Sequence, residues 1–225
     1  MSDTLNWDAL SDKCRQEFEH KLDNLTWKIE TQEGSTVVCR SVHDGVTVWK
    51  CEAILDAPKT ETSPSAAVQT VFEAYYEWVH RLQWDKAFHP DSGQVLQLAD
   101  RRTLDYSRTL PALGGVISPR DFVDLREWAW ADDAHTVISA WGASVTHKDR
   151  PEARGVVRGH NYPCGTRVMV PAGGSEEDSG GAVHVTLLWQ SDIKGWVPAR
   201  AVDQAMGQQM LMTITGLRAY LAARA

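Results

Sequence analysis

PARAVDQAMGQQMLMTITGLRAYLAARA, residues 198–225, is the stretch that decides the fold. Beyond Pro198 it is long enough for roughly six or seven helical turns, and Val202, Met206, Met210, Thr213, Ile214, Leu217 and Leu221 fall on one face. An amphipathic helix has to bury such a stripe. The segments before it offer one partner of the right size, the concave side of a β-sheet.

Those segments are β-like in period. Between Gln94 and Gln190, GQVLQLADR (93–101), TLDYSRTL (103–110), RDFVDLREWAW (120–130), HTVISAWGAS (135–144), GVVRGHNY (155–162) with TRVMVP (166–171), and AVHVTLLWQ (182–190) alternate apolar and polar residues. That alternation predicts a strongly curved antiparallel sheet with one face inward and one in solvent. Nearer the N-terminus, TWKIETQ (26–32), TVVCRSV (36–42) and VTVWKCEAIL (46–55) are separated by Glu33-Gly34-Ser35 and His43-Asp44-Gly45, which predicts a hairpin meander. SPSAAVQTVFEAYYEWVHRL (63–82) reads as helix inserted into the sheet, capped by Ser63 and opened by Pro64 or Ser65. Leu5, Leu10, Cys14 and Phe18 predict a docked N-terminal helix. AGGSEEDSGGA (172–182) reads as a mobile hairpin loop. The expected class is α+β, one domain over 1–225: N-terminal helix in 1–25, curved sheet over 26–197 with inserted helices near 64–82, and C-terminal helix over 198–225.

Composition excludes several functions. The chain has 225 residues, 43% hydrophobic and 24% charged, enough to bury a core without metal or disulfide. Its net charge of -7 arises from scattered charges, against the concentrated positive charge a nucleic acid requires. No run approaches the roughly eighteen apolar residues of a spanning helix. Cys14, Cys39, Cys51 and Cys164 show no CxxC spacing and no secretory segment precedes them, so reduced thiols and a cytoplasmic location are expected. Asn24-Leu25-Thr26 has the form of a glycosylation acceptor, which without a secretory signal carries no weight.

Catalytic motifs are missing: there is no GxSxG, GxGxxG, GxxxxGK[ST] or HExxH. The histidines, His80, His89, His147 and His160 among them, lack metal-ligand spacing, and no metal or cofactor is expected. Cys164 lies four residues from His160, but Pro163 turns the chain between them, so a nucleophile and base pair is not expected. Ten tryptophans stand out, and alternation sends Trp128 and Trp130 to one face, as core or as the wall of an aromatic-lined interior.

Three segments carry a resemblance: SPRDFVDLR (118–126), VVRGHNYPCG (156–165) and DIKGWVP (192–198), in that order and followed by the long helix. Together they resemble the START family, the steroidogenic acute regulatory protein-related lipid-transfer domains, in particular its small sterol-type branch. Trp84-Asp85 sits where that family carries a similar pair. The resemblance implies a helix-grip fold around a tunnel that holds one lipid, with no covalent chemistry. It implies that Arg126 faces the tunnel and pairs with a carboxylate from the preceding strand. A gapless count places Ser107 at that carboxylate's position, and Asp105 shares its face two residues away, so either could partner Arg126. Arg120-Asp121 read as pinning the start of their strand, and Gly159, Pro163 and Gly165 as turn chemistry.

The expected ligand contacts are Arg126, Asp105, Ser107, Trp128, Asn161, Met206 and Met210. The expected gate is the loop LPALGGVIS (110–118), through Leu113, Gly114, Gly115 and Val116, with Gly207 and Gly216 softening the helix behind it. The implied function is a non-catalytic, monomeric carrier of a sterol or isoprenoid that touches membranes transiently. A carotenoid-binding protein and a cyclase or hydratase on the same fold are the alternatives. Arg126→Leu is expected to weaken binding and spare the fold.

Overall fold

The computed structural model describes residues 5–61, 63–171 and 181–224, and the segment 172–180, read above as a loop, lies outside them. α1 (Trp7–Asn24) leads into the meander β1 (Lys28–Glu33), β2 (Thr36–His43) and β3 (Val46–Asp56). Asp44 and Gly45 both take positive φ at the second turn, as a two-residue type I′ hairpin requires. The chain then leaves the sheet through α2 (Pro64–Tyr76) and α3 (Trp78–Trp84) and rejoins it at the far edge. There β4 (Gly93–Ala99), β5 (Arg102–Arg108), β6 (Arg120–Trp130) and β7 (Val137–Ser144) run antiparallel. β10 (Cys164–Met169) and β11 (Ala182–Trp189) close the sheet back onto β3, giving the order β1-β2-β3-β11-β10-β7-β6-β5-β4. The sheet is open, and α4 (Ala199–Ala222) fills its concave side, the arrangement expected from the C-terminal stripe.

The inserted helices near 64–82 are α2 and α3, separated where Glu77 takes an extended φ/ψ of -79°/125° and ends α2. Ser63 caps α2 through Ala66 N and Pro64 opens it, as expected. One reading changes, for GVVRGHNY is not one strand: β8 (Val157–Arg158) pairs in parallel with the start of β6, while β9 (His160–Asn161) pairs with β12 (Ser191–Asp192). Between them lies Gly159, where a Cβ would meet the Phe122 ring at 2.2 Å.

The two faces of the sheet have separate cores. Cys14 and Phe18 of α1 pack with Val48, Trp141, Ala143 and Leu188 on the convex side. On the concave side, α2 and α4 press Val68, Val71, Phe72, Met210, Ile214 and Leu217 against Cys51, Ala53, Ile138, Val185 and Leu187. Gly216 lets α4 reach Trp84, whose ring would lie 3.0 Å from a Cβ there. The four cysteines are free. Among the described residues no helix is long and apolar enough to cross a membrane.

Candidate lipid site

The concave core is incomplete. Between α2, α3, the β5–β6–β7 wall and the first half of α4 lies a cavity of about 500 Å3, within the roughly 300–1,000 Å3 typical of small-molecule sites. Alternation along β6 turns Phe122, Asp124 and Arg126 to it, and Ser107, Tyr76, Trp78 and Asn161 complete its polar and aromatic end. The opposite end is bounded by Leu110, Pro111, Ala112, Leu113 and Ile117 of the 110–118 loop, by Ile193, and by Val202, Ala205, Met206, Gln209 and Met212 of α4.

Arg126 is held from two sides. One Nη donates to Asp105, and the other donates to the Tyr76 carbonyl at 2.7 Å. That carbonyl is available because the helix breaks after Tyr76: the amides of His80 and Arg81 turn to the Glu77 oxygen instead. The guanidinium also lies 3.8 Å from the centroid of the Tyr76 ring. Trp78 Nε1 donates to the same Asp105 oxygen at 2.6 Å. Burial opposes the Arg126 charge, but the Asp105 charge beside it prevails and its pKa is raised above the ordinary value. Of the two carboxylate positions left open by the sequence, Asp105 partners Arg126, and Ser107 stands opposite Phe122 on the cavity wall. Asp105 is buried and Arg126 half-buried, so removing Arg126 alone would leave the Asp105 charge without its cation.

Next along β6, Asp124 accepts hydrogen bonds from Ser144 Oγ at 2.6 Å and Asn161 Nδ2 at 2.9 Å. Burial outweighs both bonds and pushes its carboxyl up to about 6. Ser191 Oγ donates to Asn161 Oδ1 at 2.6 Å, so the network reaches the β9–β12 ribbon that precedes α4. Neither the role of Asp124 nor that of Ser144 was drawn from the sequence, although the alternation that selected Arg126 puts Asp124 on the same face.

Other residues behave structurally. Trp128 and Met210 pack in the concave core and do not line the cavity; the α4 residues that line it are Val202, Ala205, Met206, Gln208, Gln209 and Met212. Arg120 donates to the carbonyls of Ser118, Ile193 and Lys194, and Asp121 receives both ends of the Arg158 guanidinium at 2.8 and 2.9 Å. These bonds pin the start of β6, as read. Burial, with the Asp124 charge beside it, pushes the Cys164 thiol up to about 12, leaving no thiolate for nucleophilic chemistry. In the 110–118 loop, Leu113 lines the cavity at φ 48°, Gly114 and Gly115 follow at positive φ, and Val116 is 65% exposed. Trp196 is 94% exposed three residues beyond Ile193.

Known proteins share this architecture. Human StAR-related lipid transfer protein 5 superposes with a TM-score of 0.79 at 23% identity, covering 96% of this chain and 95% of that one. Human STARD10 gives a TM-score of 0.70 at 16% identity, over 96% and 79%. In sequence, the chain is 28% identical over 205 residues to the mitochondrial steroidogenic acute regulatory protein of Gallus gallus, covering 89% of this chain and 66% of that protein. It thus spans just under two thirds of the length of that relative. The START domain family matches residues 11–224, nearly the whole span in which the sheet, its gripped helix and the cavity are built, and the chain belongs to that family.

Proposed function

We propose that this chain is one lipid-binding domain acting as a non-catalytic carrier of a single sterol or isoprenoid between membranes. One observation carries the reading: a cavity of about 500 Å3, walled mainly by apolar side chains, with the half-buried, Asp105-paired Arg126 at one end. Burying about 300 Å2 of a rigid ring system at about 25 cal/mol per Å2 yields about 7.5 kcal/mol gross. Apolar contact therefore supplies most of the affinity and Arg126 the orientation.

The same reading makes the loop the gate and the surface around it the membrane contact. Leu110, Val116, Met212 and Trp196 are exposed there. The carrier works in the cytoplasm, as a monomer. A cyclase or hydratase would need a base poised in the cavity to abstract a proton; Arg126 already neutralises Asp105, so among the described residues Asp124 is the cavity carboxylate left for that role, and a turnover assay separates that reading from the carrier.

Organic extraction and mass spectrometry of the purified protein, followed by titration with a fluorescent sterol and a carotenoid, tests the proposal. A stoichiometric sterol or isoprenoid is the expected result. Repeated absence of any bound or bindable lipid would overturn it.

A further inference from the structure

Arg126 can only donate hydrogen bonds, and a site with a donor alone accepts ketones, ethers and alcohols alike. Asp124 changes this. It stands two residues along the same face of β6, about 7 Å away by strand geometry, and it lines the cavity. Its two oxygens accept from Ser144 and Asn161. A carboxylate offers about four acceptor sites, so roughly half remain free. On the neighbouring strand the residue opposite Arg126 is Gly142, where a Cβ would lie 2.1 Å from the Leu125 carbonyl oxygen. No side chain can therefore occupy the Gly142 position opposite Arg126. Arg126 spends one N–H on Asp105 and another on Tyr76, which leaves other guanidinium N–H groups free.

We infer that Asp124 is a specificity residue for a free hydroxyl on the ligand. The inference rests on the carrier reading and names its ligand class, an isoprenoid or sterol alcohol. The hydroxyl oxygen accepts from Arg126 while its proton is donated to Asp124. A ketone satisfies Arg126 and offers Asp124 no proton beyond those of Ser144 and Asn161, and an ether does the same with added bulk. The analogue's oxygen then faces the Asp124 carboxylate acceptor to acceptor, so the discrimination lies in rejecting those analogues. Ser144 and Asn161 are positioning residues that hold the carboxylate toward the cavity.

The test is competition of cholestanol, cholestanone and cholestanol methyl ether against a fluorescent sterol at pH 7.5, in the wild type and in Asp124→Asn. Asparagine keeps the shape and, with its one oxygen, the bond from one of Ser144 and Asn161, and thermal unfolding checks that it folds. The wild type is expected to bind the alcohol at least tenfold more tightly than either analogue, and Asp124→Asn to bring alcohol and ketone within about twofold. Equal binding of all three by the wild type overturns the inference without any variant and leaves the carrier intact. Undiminished preference in a folded Asp124→Asn also overturns it. Binding of none of the three overturns the carrier reading and the inference with it.

Discussion

Replacing Arg126 by leucine should affect stability as well as binding. In the wild type the Asp105 side chain is 4% exposed and Arg126 18%, and each neutralises the other. Arg126→Leu leaves Asp105 with the Trp78 indole N–H as its remaining partner, and the other carboxylate oxygen has none even in the wild type. Breaking a buried pair from one side costs about 3–5 kcal/mol. For a chain of this size each kcal/mol moves Tm by about 2–4 °C, so a fall of about 6–20 °C is expected. Replacing both members, Asp105→Leu with Arg126→Leu, removes the stranded charge and should recover most of that loss. The double variant then isolates the ligand contact: without the guanidinium, a hydroxylated sterol should bind roughly tenfold to a hundredfold more weakly, the worth of a charge-assisted hydrogen bond. Thermal unfolding of the wild type, both single variants and the double variant, with fluorescent-sterol titration of those that fold, separates the two effects. A single variant within about 2 °C of wild type, or a double variant no more stable than Arg126→Leu, would refute the argument that the pair is a mutually dependent buried unit.

Two further outcomes follow from the same geometry. The folded Asp124 carboxyl, near 6, binds its proton more tightly than in the unfolded chain. Its contribution to stability is therefore full below about pH 4 and is lost as pH rises through about 6, at about 1.4 kcal/mol for each tenfold difference in proton affinity between the folded and unfolded states. The stability of Asp124→Asn relative to wild type should thus rise by about 2–3 kcal/mol between pH 4 and 7 in urea titrations, and a flat difference would be the contrary result. For the gate, a short bismaleimide joining Leu113→Cys to Met212→Cys should slow transfer between liposomes severalfold while preloaded ligand stays bound at equilibrium. Equal rates with and without the cross-link would rule the loop out.

The sequence by itself determined the elements and their general arrangement. β-branched runs punctuated by Asp44-Gly45 specify the meander, and the α4 stripe of Met210, Thr213, Ile214, Leu217 and Leu221 is buried as its spacing demands. Period 2 along β6 suffices to put Phe122, Asp124 and Arg126 on one face, because that property is local to the backbone. Tertiary structure decided which of these residues meet. Asp105, and not Ser107, reaches Arg126 because the β5–β6 register sets Thr103 opposite Arg126 and Asp105 opposite Asp124, a pairing no strand contains on its own. The break at Glu77, which frees the Tyr76 carbonyl for Arg126, arises in a stretch of continuous helical pattern. The same holds on α4, where the apolar stripe predicts Met210 at the ligand but the cavity is lined by Ala205, Gln209 and Met212 beside it. Hydrophobic burial obliges a helix to hide its apolar face against something, and only the packed sheet determines where that contact stops and empty space begins.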